Sequence, residues 1–471
     1  MKHYRPSEDI HMTSRRTFLK SSAATALLSL TSFPAKPQEK QRTYSLVARE
    51  AAHAFDGATK SDLWLYNSRC PGPTISAQQG DTLTINFKNY LKEPTTIHWH
   101  GIRNLNSMDG VPDLTQPPIE PGESFVYQFP LRDAGTFWYH AHNKAWEQVA
   151  RGLYGPLIVQ PSIPAPMNRD IAIVADDWLL REDLQIHENT LGNLHDWSHA
   201  GRLGNSLTIN GRFLPKIKIP HSGPTRLRVI NAANARPFVF KTKGDTEIKI
   251  IAVDGSPCSH FVPEKITVGP GQRVDLFTED CSKLEELQEI STGQAYVAAN
   301  FIRGPANADN RKWSHSETPY YSFPNIKDAK LISIRMQGGA MGNLGSAEFA
   351  GQIIPLRELA MKESKLWAFN GKIGGYTLNL AEVSVGDTVK LDVWNDSAWP
   401  HAMHLHGHHF WVDSKEFGLT ARQMLRDTYL MQPGERATLV FIADNPGQWL
   451  FHCHMLEHHA AGMGGVISVR I

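Results

Sequence analysis

Residues 80–89 read GDTLTINFKN, and residues 386–395 read GDTVKLDVWN. Leu83, Ile85 and Phe87 alternate with polar residues in the first, and Val389, Leu391 and Val393 do so in the second. Apolar side chains at every second position suit a strand with one face in a core and the other in water. Turn formers are frequent, with 36 Gly and 29 Pro in 471 residues. Helical periodicity is scarce, and 283–290 is the one short helix it predicts. The chain therefore reads as all-β, built of antiparallel sandwiches.

The two stretches are also copies of one another, 306 positions apart. The same offset carries His98-Trp99-His100-Gly101 onto His404-Leu405-His406-Gly407. A second offset, 312, carries Pro121-Gly122-Glu123 onto Pro433-Gly434-Glu435 and His140-Ala141-His142 onto His452-Cys453-His454. One domain type is thus used in the first and last thirds. The middle third keeps the framework in PTRLRV (224–229) and Pro270-Gly271-Gln272, but has Ala298-Ala299-Asn300 where the outer copies have H-x-H. The expected divisions are a leader at 1–39, domains at 40–162, 163–335 and 350–471, and a Gly-rich linker at 336–349.

Hydrophobic residues make up 41%, enough for large cores. A formal net charge of +1 gives no electrostatic case for nucleic acid or an anionic membrane. SRRTFLK (14–20) is a twin-arginine pattern, followed by a weakly apolar run from Ser21 to Phe33. That run is shorter than the roughly 20 apolar residues a spanning helix needs. It reads as an export signal and implies a periplasmic protein without stable membrane association; the cleavage site stays open. Of the four cysteines, Cys258 and Cys281 would close the shortest disulfide loop, and connectivity is open.

Strand alternation gives the histidines their meaning. In H-x-H both imidazoles share a face and the middle residue points away. Four such pairs, two in each outer copy, would converge if the copies met across a pseudo-twofold axis. Eight neutral imidazoles suit copper, iron or zinc and are too many for one ion. Cys453, facing away from His452 and His454, can join a second centre with His401, His458 and Met463. Two imidazoles, a thiolate and a weak thioether make a blue-copper electron-transfer site. The offsets place Thr95, Ala141, Trp146 and Arg151 at the equivalent positions of the first copy, so only the last copy can build it.

With HWHG (98–101), HAH (140–142), HAMHLHG (401–407) and HCHMLEHHAAGM (452–463), the chain resembles the three-domain multicopper oxidases, a family that includes laccases and bacterial cuprous oxidases. The resemblance implies three cupredoxin-like Greek-key β-sandwiches and four coppers per chain. It assigns His401, Cys453, His458 and Met463 to the type 1 copper, with Cys453 as the electron entry, and His98 and His404 to the type 2 copper. His100, His140 and His454 fall to one type 3 copper, and His142, His406 and His452 to the other. It implies electrons taken singly from a small reducing substrate or metal ion and passed to dioxygen, which becomes water. Asp109 matches the family's proton-relay carboxylate. Many bacterial relatives carry a second one as a Glu just after the last blue-copper histidine; His459 stands there, so that role is not transferred.

The donor is read as phenolic and laccase-like, with cuprous or other metal-ion oxidation as the alternative. The 12 methionines do not form the Met-rich insert that copper-resistance oxidases carry. A copper-free structural relative of cell division would have lost ligands, whereas every position is kept here. His195 and His199 match no ligand motif and could line a substrate surface. The expected oligomeric state is a monomer.

Overall fold

The computed structural model describes residues 40–161, 169–304, 316–413 and 424–471. The twin-arginine segment lies outside them, as does His315.

Strands dominate, and the two stretches that opened the reading become strands Thr82–Asn89 and Thr388–Asp396. Each pairs antiparallel with the strand that follows its PGE turn, Ser124–Pro130 and Arg436–Ile442 respectively. Each also takes a parallel neighbour, Gln41–His53 and Lys330–Gly338. The middle third repeats the arrangement, with Thr225–Asn231 between parallel Arg169–Trp178 and antiparallel Arg273–Thr278. The sandwiches are therefore mixed, with one parallel pair in each copy of this motif. Among the described residues each third supplies two facing sheets around its own core; Ile85 and Phe87, Leu227 and Val229, and Leu391 and Val393 are each at most 1% exposed. Burial at about 25 cal/mol per Å² of apolar surface makes these cores the main source of stability.

Two expectations change. Residues 284–289 form a strand, Leu284–Glu289, rather than a helix. Leu284 and Leu287 are spaced as on a helix face, yet the register shift at Lys243/Gly244, which skips Glu285 between them, turns both inward from a strand. The expected linker begins too late: strand Lys330–Gly338 already belongs to the third sandwich, because its ladder to Thr388–Asp396 runs the whole length of the strand. All four cysteines are buried free thiols, Cys258 and Cys281 included.

Among the described residues, no helix is long and apolar enough to cross a membrane.

Candidate metal centres

The H-x-H pairs sit on equivalent antiparallel ladders. His98 lies opposite His140 on strands Ile97–His100 and Gly135–Ala141. His404 lies opposite His452 on His401–Leu405 and Gly447–Cys453. His142, His406 and His454 stand just past the ends of their strands. Middle residues point the other way, into the cores: Trp99 packs against Tyr127 and Phe129, and Cys453 joins the third core with Met403 and Met463.

The two sets of rings interleave as a pseudo-twofold requires. His98 stacks on His406 at 3.9 Å, and His100 on His404 at 3.8 Å. His140 lies edge-on to His454 at 5.2 Å, and His142 to His452 at 5.6 Å. Three groups bring their ligand atoms within 4.8 Å of one another: His98/His100/His404, His100/His140/His454 and His142/His406/His452. His100 belongs to two of them.

Carbonyls and one carboxylate set the tautomers. The Nδ1 atoms of His98, His404, His140 and His452 donate to the backbone oxygens of Asp109, Asp427, Ala141 and Cys453. His406 Nδ1 donates to Asp109 Oδ2 at 2.8 Å. Each of these rings is left with a bare Nε2, the form that ligates metal. His406 Nε2 and His452 Nε2 then face each other at 3.0 Å, two lone pairs with no proton to share. The Nε2 atoms of His98 and His404 are buried without partners. Burial lowers the imidazole pKa of His404, and more strongly those of His100, His140, His142, His406, His452 and His454. A pocket of bare, neutral nitrogens fits a cationic cluster.

The second centre lies on the far face of the same strand. Cys453 Sγ is 3.5 Å from His401 Nδ1 and 3.7 Å from His458 Nδ1, which are themselves 3.0 Å apart. Metal bonds of about 2.0 Å to nitrogen and 2.3 Å to sulfur call for spacings of about this size. Met463 is fully buried, and its carbonyl accepts from Cys453 N. Burial pushes the Cys453 thiol up to about 12, so a thiolate here needs a cation beside it. Burial takes His458 down to about 4.

Asp109 is fully buried, and its Oδ1 makes no hydrogen bond but lies 3.4 Å from His98 Nδ1. Its loop can lie against strand Ile97–His100 because Gly110 follows it at φ +81°; a Cβ there would sit 1.8 Å from the Ile97 carbonyl oxygen. His459 packs against His452, ring centres 4.4 Å apart and tilted by 42°, and, with His142 and Tyr376, lines a cavity of about 320 Å³. Its neighbour Glu457 points away from the cluster and accepts from Asn234; burial pushes its carboxyl up to about 7.

Several contributors carry no motif. Asp427 accepts from His100 Nε2 at 3.1 Å and is held by both terminal nitrogens of Arg273, at 2.7 and 2.5 Å. Asp254 Oδ2 accepts from the backbone N–H groups of Asp427 and Thr428. Gly271 leaves room for two of the clustered imidazoles, since a Cβ would lie 2.9 Å from His454 and 3.0 Å from His100. Arg273, Asp254 and Gly271 belong to the middle third, the copy that keeps the framework without the H-x-H pairs. Pro270-Gly271-Gln272 was the one sequence signal for this contact.

Comparison with known proteins agrees with this geometry. Family profiles described as multicopper oxidase match residues 47–163, 169–280 and 354–471. The multicopper oxidase MmcO of Mycobacterium tuberculosis is 28% identical, with 96% of this chain and 95% of that protein covered. Laccase-2 of Botryotinia fuckeliana is 28% identical over 90% of this chain and 81% of its own. The crystal structure of Lac15 from a marine microbial metagenome superposes with a TM-score of 0.71 at 30% identity, covering 91% of this chain and all of that one. Three consecutive matches over three cupredoxin-like sandwiches, with full-length relatives, place the chain in the multicopper oxidase family: it is a copper-dependent oxidoreductase.

Proposed function

We propose that the chain is a laccase-like oxidase that takes single electrons from a phenolic donor at a blue-copper site and delivers four of them to dioxygen at a three-copper cluster. The observation that supports this most directly is the His406–His452 contact, where two committed tautomers aim lone pairs at each other and only a cation can lie between. His401, Cys453, His458 and Met463 would hold the type 1 copper, and His98 and His404 the type 2 copper. His100, His140 and His454 would hold one type 3 copper, and His142, His406 and His452 the other. Copper bound there would supply the one-electron redox chemistry and the site for dioxygen.

The chain's own residues orient and protonate. The Asp109 carboxylate fixes His406 and stands ready to pass protons toward the cluster. Cys453 joins the two centres covalently: its sulfur lies in one, and its backbone neighbours His452 and His454 lie in the other. The twin-arginine segment supports export to the periplasm. The protein would act as a monomer, with its first division near 40–162 and its second ending before Lys330.

A second reading, oxidation of a metal ion, is favoured by the complete burial of both His401 and His458, which leaves no ligand ring open to an organic donor.

Copper-loaded protein should contain four coppers, show a blue band, and consume oxygen with a phenolic dye. Cys453→Ser should abolish the blue band and the turnover; a variant that keeps both refutes the assignment.

A further inference from the structure

His195 and His199 have no part in either centre, yet the segment that carries them covers one. Helix Leu194–Ser198 ends against the His401/Cys453/His458 site. The last carbonyls of a helix lack partners within it, and here three in a row are spent on this contact. Trp197 O accepts from Trp367 Nε1 at 2.8 Å, Ser198 O from Ala340 N at 2.6 Å, and His199 O from His458 Nε2 at 2.7 Å. Trp367 is fully buried, with its ring 4.9 Å from His401 and 4.5 Å from His458. His401 Nε2 is bonded to Ser397 Oγ at 2.8 Å. The outward nitrogens of both imidazoles are thus occupied, and a donor in solution can hydrogen-bond to neither. On the outer face, His195 stacks on His199 at 4.1 Å and 12°, with the His195 side chain 70% exposed. Trp399 stands edge-on to His199 at 5.2 Å.

We propose that the reducing substrate docks on this outer face, at the His195–His199 stack, and that its electron reaches the buried site through the His199 carbonyl and its hydrogen bond to His458. The inference rests on the blue-copper reading of that site. The donor loses one electron and the Cys453 site gains it; no bond forms or breaks and no proton moves. The middle domain thereby selects donors that work without touching a ligand ring. Small one-electron donors such as metal ions and their complexes satisfy that requirement better than phenols that need a hydrogen bond to the imidazole.

Charge placed on the exposed His195 tests this. His195→Glu and His195→Arg are compared with Val126→Glu and Val126→Arg, at an exposed position on the first sandwich. Bleaching of the blue band by ferrocyanide and by hexaammineruthenium(II) is followed without oxygen. Binding of redox-inert hexacyanocobaltate is measured by calorimetry. His195→Glu should slow the anionic donor and speed the cationic one, by about two- to threefold each at low salt, with His195→Arg doing the reverse. Hexacyanocobaltate should bind His195→Arg more tightly than His195→Glu. High salt should erase both effects. If the His195 variants shift no more than the Val126 variants, with a normal blue band, this inference is overturned and the site assignment stands. Absence of a blue band in copper-loaded protein overturns both.

Discussion

Replacing Arg273 by Met tests whether the middle domain braces the cluster. Arg273 and Asp427 are both completely buried. The guanidinium grips the carboxylate with two nitrogens and also donates to the carbonyls of Thr136, Gly271 and Asp254. Its charge holds the Asp427 carboxyl well below the ordinary range against the opposing effect of burial. Without it the carboxylate is an unpaired buried charge, which costs about 3–5 kcal/mol, or roughly a hundred- to several-thousandfold in the folding equilibrium. His100 and Thr428 still donate to Asp427, which favours the lower end. The assay is urea unfolding of copper-free protein, followed by tryptophan fluorescence. Arg273→Met combined with Asp427→Asn should lose less than the two single variants together, by at least about 1 kcal/mol, because the stranded charge is gone. A cost below about 1 kcal/mol for Arg273→Met, or strict additivity, would show that this pair braces nothing.

Gly271→Ala places a Cβ against His454 and His100 at φ +81°; it should cost about 1–3 kcal/mol and lower the copper content of the cluster while leaving the blue band, as metal analysis and absorption would show. Asp109→Asn keeps an acceptor for His406 but cannot carry a proton, so kcat should fall on the order of a hundredfold at unchanged copper content; wild-type turnover would exclude Asp109 as the relay. Acid should weaken the copper-free fold. Burial lowers His408 and His458 to about 4 and His459 to about 3, from 6.5. The unfolded chain therefore binds more protons below pH 6.5, and the contribution of these groups to stability is complete above that value and falls through the window down to about 3. Glu457, raised to about 7, acts in the opposite sense and is outnumbered. A urea midpoint unchanged between about pH 7 and pH 5 contradicts this. Protons also compete for the ligands, so dialysis of the copper-loaded enzyme near about pH 3 should strip copper.

The sequence by itself determined the fold class, the repeat, and the sorting of the candidate ligands onto two faces of the same strand. The reason is that strand periodicity is local: alternation in TLTINFKN and TVKLDVWN, and the opposite facing of Cys453 and its histidine neighbours, follow from pleat geometry alone. Where local spacing misled, at Leu284 and Leu287, a register shift between neighbouring strands reversed the reading. The parallel ladder that draws Lys330–Gly338 into the third sandwich was equally invisible, since pairing partners lie far apart in the chain. Only the tertiary structure decided how the ligands are held and reached. Asp427, Arg273, Asp254 and Gly271 act through contacts between residues 150 or more positions from some of their partners, and of the four only Gly271 lies in a stretch that the repeat marks. The cap on His458 is a backbone carbonyl, a group every residue owns, so only its position, set by the packing of the middle domain, which has no H-x-H pair, against the third, gives it a role.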